Sequence, residues 1–480
     1  MTLLTIYLVF ILTIGIMDFR QVRDFNDYVL AGRRQRLTIV IVSLMASMIG
    51  SGSTIGLADK AFSKGFRAIW FLAVGGIGLL LQSWLLSEKV RESNAVTLPD
   101  LAQKTMGSQT RFLVALIIVI TWIGIIAAQL IAAGKILTAM TGNESQWVLA
   151  FAAAIIVIYS FLGGQASILK TDFLQFAILA VAVSFTALFL YVAKPVDLQT
   201  ISFQLTNDVF TTRDLFYYLT IVMGSYFICP MMFSRLLTAK TPKIAKSASL
   251  VAGLGVLVFA FLIVLIGLWA HARGIDPGKA GVLGHVMVNE LPKAGGIILI
   301  LGILSAIIST TDTCLVMTGS IIEHDLLKSN AFNARREMFR TRVFVLLLGA
   351  LGYLTALWAN WDIIGLLLEA FEFYTAGIVP ALFVALMVIR KKTLAPGWSF
   401  AAVLVGGFFG LLPKITPVVD GLIRLMPGFW AKSLPIIGMA LSLVLAIIAA
   451  RHGSPVKKSI GRIAYPKAAS ASVTTPTSQQ

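Results

Sequence analysis

Charge is scarce in this chain: Asp, Glu, Lys and Arg make up 13% of its 480 residues, against 58% hydrophobic residues. A water-soluble domain carries about a quarter of its residues charged, so a soluble surface is excluded and the apolar excess has to face lipid. Cysteine is nearly missing. Cys229 and Cys314 both fall inside apolar runs, which leaves no disulfide framework and no cysteine metal cluster, only packing. The four histidines, His271, His285, His324 and His452, lie in loops or near the ends of apolar runs without paired spacing. Zinc and triad chemistry therefore lack their ligands, and no enzyme is expected. Acids are outnumbered too, for a net charge of +17. In a soluble chain that excess would suggest a nucleic acid. Here the bases sit in short loops between apolar runs, so no nucleic acid is expected and anionic membrane lipid is the partner they face.

What is present is a succession of long apolar runs. A membrane-crossing helix takes about 20 mostly apolar residues to span about 30 Å of hydrocarbon, and hydropathy places thirteen such helices, at 2–19, 37–58, 67–87, 112–138, 147–163, 171–193, 214–235, 247–270, 295–322, 343–360, 362–388, 398–416 and 433–450. The first run lacks a basic flank before it and a small-residue cleavage site after it, so it reads as a retained span rather than a signal peptide. Arg20, Arg23, Arg33, Arg34 and Arg36 follow it instead. The positive-inside rule then puts the N-terminus outside and, with an odd number of spans, the C-terminus in the cytoplasm, at the cell membrane. Residues 451–480 are polar and basic with little to bury, which predicts a disordered cytoplasmic tail.

Two spans are interrupted. The second contains Gly50-Ser51-Gly52-Ser53-Thr54-Ile55-Gly56, and the seventh contains Met223-Gly224-Ser225-Tyr226 followed by Cys229-Pro230. Broken helices at matching places in two halves point to the binding site of a carrier built from inverted repeats. The breaks lie five spans apart, and an odd separation means that the two helices cross in opposite directions, as inverted repeats require. The expected organisation is an all-α polytopic protein: an extra N-terminal helix and loop over 1–36, one repeat over 37–193, a second over 194–397, two additional helices over 398–450, and the tail over 451–480.

A break frees backbone carbonyls that lipid cannot satisfy, and a hard cation seeks oxygen ligands. Around Ala46 and Ile49 the second span exposes such carbonyls. The ninth span reads Leu304-Ser305-Ala306-Ile307-Ile308-Ser309-Thr310-Thr311-Asp312, where the Ser309 and Thr310 hydroxyls adjoin and the Ala306 carbonyl lies one turn earlier. Serine and threonine in membrane helices also bond their own backbone or a neighbouring helix, so spacing alone leaves an ion site and a packing role both open. Ionisable residues within spans are functional hypotheses in their own right. Asp172 opens the sixth span and Asp312 follows Thr310, which sets both on an ion pathway, although Asp172 also suits a helix N-terminus. Glu369 and Glu372 stand three apart on one face of the eleventh span, open to a cationic solute group, a proton, or bonds with Tyr374 and Thr375. With Gly50, Ser51, Gly52, Ser225 and Tyr226 they form the set of substrate and gate candidates. Acids outnumber bases among these embedded residues, which argues against a simple anion as solute, while half-helix N-termini retain the means to hold a carboxylate.

These residues resemble the sodium/solute symporter family, which includes sodium-coupled carriers of glucose, proline and pantothenate. The likeness runs from Asp27 through Arg33, Ala46 through Gly52, Tyr159 through Gly164 with Thr171 through Gln175, and Pro230 through Arg235, to the ninth-span motif closed by Asp325. It implies a five-plus-five inverted-repeat fold, alternating access, and sodium as coupling ion, held by the carbonyls of Ala46, Ile49 and Ala306 and the hydroxyls of Ser309 and Thr310. Asp172 matches a family aspartate implicated in sodium handling. One departure is Met48, which stands where the family's proline carriers have an aspartate. The expected function is sodium-coupled import of a small organic solute. The alternatives are proton coupling through Asp312, Glu369 or Glu372, and a membrane sensor derived from a transporter, for which the 30 residues after Ala450 leave no output domain.

Overall fold

The computed structural model describes Tyr7, Thr13 and residues 29–142, 146–162, 164–197, 199, 201–208, 210–327, 334–358, 363–414 and 433–455. Among them ten helices are long and apolar enough to cross a membrane, or eleven if one bent pair counts as a single span. Among the described residues the regular structure is helical, apart from a two-residue antiparallel pairing of Lys392–Thr393 with Ser454–Pro455 and a single bridge between Gln35 and Ala239.

In chain order the principal helices are α1 (Leu37–Met48), α2 (Leu57–Lys64), α3 (Trp70–Leu85), α4 (Ser108–Thr141), α5 (Gln146–Leu162), α6 (Gln165–Ala193), α7 (Met223–Phe227), α8 (Pro230–Thr238), α9 (Pro242–Ala272), α10 (Lys293–Ile321), α11 (Ala334–Trp358), α12 (Ile363–Val388), α13 (Pro396–Leu411) and α14 (Leu434–Arg451). The expected first span, 2–19, lies outside the described residues except for Tyr7, which is buried and shares a hydrogen bond with Ser305 of α10 at 2.6 Å, and the exposed Thr13. The tail beyond residue 455 lies outside them as well. Among the described residues a count of thirteen spans is therefore not reached. The fifth expected span is a helix of 17 residues, Gln146–Leu162, at the lower end of the lengths that cross a membrane.

Helix ends follow local chemistry. Thr241 caps α9 by accepting the Ile244 N–H, and Pro242, which has no N–H to lose, starts it. Gly142, in the left-handed region at φ 68°, closes α4. The span expected over 37–58 is two pieces: α1 stops at Met48, Ile49 leaves helical geometry at φ −98°, ψ 78°, and the chain resumes from Gly52 to Lys64 at 66° to α1. The seventh span breaks for a different reason. Pro230 pushes the residue before it out of the helical region, and Ile228 and Cys229 are extended between α7 and α8. Helix packing relies on small residues, as it must where lipid offers no hydrophobic drive. A Cβ on Gly76 of α3 would stand 2.9 Å from the Gly253 carbonyl of α9, and one on Gly253 would stand 2.9 Å from the Gly76 carbonyl.

Candidate functional site

The two breaks face one cavity of about 40 Å³. Its wall takes Gly50, Gly52 and Ser53 from the first break, Ser225, Tyr226 and Cys229 from the second, Trp122 and Gln129 from α4, Thr310 from α10, and Leu367 and Phe371 from α12. Among the described residues no Asp, Glu, Lys, Arg or His lines it. The absence of side chains at the first break lets α10 and α12 approach: a Cβ on Gly50 would meet Thr310 Oγ1 at 2.7 Å, and one on Gly52 would overlap Leu367. Ser51 is fixed through its backbone, whose N–H donates to Gln129 Oε1 at 2.9 Å. Ser225 turns inward on its own helix and donates to the Val222 carbonyl at 2.7 Å. Tyr226 packs edge-to-face on Phe371 with ring centroids 5.5 Å apart.

Thr310 belongs to two environments at once. It lines the cavity, and its hydroxyl lies 3.5 Å from the Ala46 carbonyl at the end of α1. Ile49 and Ala306, the other carbonyl donors expected there, are both buried, Ala306 one turn before Ser309. The Ser309 hydroxyl donates to Asp172 Oδ1 at 2.6 Å, and Ser43 donates to Oδ2 of the same carboxylate. Arg235 of α8 completes this buried cluster. Its Nη2 lies 3.2 Å from Asp172 Oδ2 and 2.5 Å from Thr313 Oγ1, and its Nε donates to Ser47 Oγ at 3.2 Å. Both ionic side chains are fully buried. Asp312, also fully buried, has one carboxylate oxygen with no hydrogen-bond partner. A hydroxyl that gives its proton to a carboxylate presents a more electron-rich oxygen, so Ser309 is prepared to meet a cation with its lone pairs.

Glu369 and Glu372 do not reach the cavity wall. Both pair with Lys414, at the end of the helical turn that follows α13; the Glu372 contact is 2.7 Å. Glu372 also accepts a hydrogen bond from Tyr217 at 2.7 Å. Tyr374 and Thr375, considered as their partners, donate instead to the Ile228 and Ile221 carbonyls at 2.7 and 3.0 Å, holding α12 against the second break.

A family model described as the sodium:solute symporter family matches residues 28–406. The chain belongs to that family. Among the symporter's relatives, the osmoregulated proline transporter OpuE of Bacillus subtilis is 25% identical, with 95% of each chain covered. A sodium/proline symporter of Haemophilus influenzae is 27% identical over 91% of this chain and 93% of its own. In three dimensions the symporter is similar to a Na+-coupled sialic acid symporter in a substrate-bound outward-open state, with a TM-score of 0.75, 16% identity, and coverage of 95% of this chain and 98% of that one. It is also similar to Mhp1, a nucleobase-cation-symport-1 family transporter, with a TM-score of 0.58, 12% identity, and coverage of 90% and 95%. These likenesses show a transporter fold, and family membership makes the protein a multi-pass, sodium-coupled solute symporter.

Two residues of the symporter's centre escape a reading of the sequence for function. Arg235 closes the Pro230–Arg235 motif, yet its charge had no assigned partner; the signal was a lone base at the inner edge of an apolar run. Gln129 is a single amide in the apolar stretch from Phe112 to Leu137. A polar residue at membrane depth marks a packing contact or a site, and here it bridges a break to the cavity.

Proposed function

We propose that this symporter carries a small organic solute into the cell together with sodium, by alternating access. The observation behind the reading is Thr310, whose hydroxyl faces the Ala46 carbonyl at 3.5 Å while the same residue lines the cavity between the two breaks. Sodium is held by the carbonyls of Ala46, Ile49 and Ala306 and the hydroxyls of Ser309 and Thr310. That set supplies the several oxygens a hard cation takes in place of water. Its ligands come from α1 and α10, so a bound ion ties the first break to the ninth expected span and sets the cavity wall that the solute meets. Asp172, bonded to Ser309, and Asp312, one turn further along α10, form the ion's path toward the cytoplasm. The architecture is a five-plus-five inverted repeat over 37–193 and 194–397, with one extra helix before it and two after, the N-terminus outside and the C-terminus inside.

The relatives named above transport proline, and proline is the first solute to test. A cavity wall without acids or bases suits a compact molecule that brings no net charge of its own side chain. Met48 on that wall leaves no carboxylate there to pair with an amine. The experiment is solute uptake into reconstituted vesicles against sodium concentration, for the wild type, Ser309→Ala and Thr310→Ala. Removing one ligand oxygen costs about 1–3 kcal/mol, so the half-saturating sodium concentration rises roughly 5-fold to 150-fold. Solute affinity at saturating sodium changes much less, because mass action restores the ion-bound form. An unchanged sodium response in both variants, or uptake driven by a pH gradient alone, overturns the assignment.

A further inference from the structure

We infer that Asn94 is a positioning residue for sodium: it fastens a strained turn that ties together the ends of α1 and α8 farthest from the two breaks, and so governs how readily the ligands on α1 stand against α10. This deepens the symport reading above and rests on its sodium ligands. Ala31, Gly32 and Arg33, just before α1, have φ of 45°, 63° and 54°. Three consecutive residues in the left-handed region, two of them with side chains, form a strained run that persists only where its surroundings hold it. Hydrogen bonds do the holding. Arg33 Nη1 donates to Asn94 Oδ1 at 2.9 Å, and Nη2 donates to the Asn94 and Ala95 carbonyls at 3.1 and 2.8 Å. Asn94, itself left-handed at φ 51°, lies between the short helices Ser87–Glu92 and Leu98–Met106. Its Oδ1 also accepts from Arg91 Nη1 at 3.3 Å, and Arg91, 5% exposed, donates through Nε to the Ala239 carbonyl at 2.6 Å, just past α8. The backbone closes the circuit: the Gln35 N–H donates to the Thr238 carbonyl at 3.1 Å, and the Lys240 N–H donates to the Gln35 carbonyl at 3.0 Å. One amide oxygen thus joins the start of α1 to the end of α8 through two arginines.

The tie reaches the ion through α1. That helix has 12 residues, about 18 Å of stiff rod, with the strained turn at one end and the Ala46 carbonyl near the other. Where the tied end stands therefore decides whether Ala46 faces Thr310. The other tied helix, α8, is a wall shared by two cavities. Met231 and Met232 line the one between the breaks. Pro230, Ser234 and Leu237 line a smaller one of about 20 Å³, together with Thr97 and with Gln165, whose amide nitrogen is buried and has no hydrogen-bond partner. Releasing the tie lets the turn relax, moves α1 and α8 apart, and joins the first cavity to the second. Sodium bridges α1 and α10 and so favours the tied arrangement. Two influences that favour one state strengthen each other, so loosening the tie weakens sodium binding without touching a ligand.

The test is amide hydrogen exchange on the purified full-length protein over a sodium series, with choline replacing sodium, read in peptides that contain Gln35 and Lys240. Asn94→Gly keeps the left-handed backbone and removes the acceptor, whereas Asn94→Asp keeps the shape and makes the bonds from both arginines charge-assisted on each side. In the wild type sodium slows exchange at both amides. Asn94→Gly speeds exchange without sodium and raises the half-protecting sodium concentration roughly 2-fold to 10-fold; Asn94→Asp shifts both the other way. Arg33→Lys, which loses the fork on the opposite side of the same bond, moves with Asn94→Gly and replaces it if that variant does not fold. A residue that serves packing alone would lower the melting temperature and leave the half-protecting sodium concentration where it is. Exchange that ignores sodium in the wild type strikes the sodium ligands assigned above, while opposite shifts of the variants in choline still support the tie. Unchanged exchange in the variants, shifts of Asn94→Gly and Asn94→Asp in one direction, or a half-protecting sodium concentration common to them and the wild type overturns the inference.

Discussion

Arg235 and Lys414 each answer carboxylates within the helical bundle, and they do so under opposite conditions. Arg235 and Asp172 are fully buried, and the pair is braced by Ser43, Ser47, Ser309 and Thr313. Lys414 retains 22% exposure, and its partners Glu369 and Glu372 retain 33% and 16%, so water reaches all three. In the first cluster every charge depends on its neighbours, because nothing else can solvate it. In the second, water can stand in for any member. The buried cluster is thus a fixed support beside Ser309 and Thr313, while the hydrated one can open and re-form at little cost.

The sharpest way to break this contrast is to remove one member of the buried pair. Arg235→Met leaves the Asp172 carboxylate uncompensated and lowers stability by about 3–5 kcal/mol, measured by denaturant unfolding in detergent. Arg235→Met combined with Asp172→Asn recovers more than half of that loss, and a double variant as weak as the single one would show that packing rather than charge sets the cost. Next in size is Ser43→Ala, which takes one hydrogen bond from the same carboxylate, for about 1.5–3 kcal/mol. Lys414→Met costs about 1 kcal/mol or less in low salt. In about 1 M choline chloride, where screening acts over about 3 Å, that loss disappears while the Arg235→Met loss stays; equal salt sensitivity of the two would erase the distinction. The smallest effect is on the connecting segment between α9 and α10. There the hydrogen bond from Lys194, with its charge and that of His285, holds Glu290 below its ordinary pKa of 4.5. A depressed carboxylate contributes stability that is present above 4.5 and lost as pH falls through its folded value. Glu290→Gln is therefore slightly less stable than the wild type at pH 7, and the gap closes below pH 4.5 in a pH series of melting temperatures.

Hydropathy found nearly all of the helices because length and apolarity are local properties. It set some ends short, for instance 112–138 against Ser108–Thr141, since a helix can run on past its apolar stretch. The first break was legible from Gly50-Ser51-Gly52 and the second from Pro230, each a backbone effect of its own residues. Thr310 facing Ala46 was one of two readings that the residues left open, and the resemblance favoured it. What the chain order hid were partnerships. Asp172 and Arg235 lie 63 residues apart and Glu372 and Tyr217 155 apart, and no periodicity links them. The embedded acids consequently looked available to a solute, whereas Glu369 and Glu372 are engaged by Lys414 and the cavity wall is uncharged. With that placement, the excess of embedded acids no longer speaks against an anionic solute.

Because Thr310 serves the cavity and faces Ala46 at once, the two ends of the cavity differ in their freedom to evolve. Enlarging or reshaping the wall at Phe371, Tyr226 or Met232 leaves the Ala46–Thr310 approach untouched, so the shape of the cavity can change there by single substitutions. At Gly50 even one added methyl would press on Thr310 at 2.7 Å, so a lineage that altered that corner would have to move the first break and α10 together.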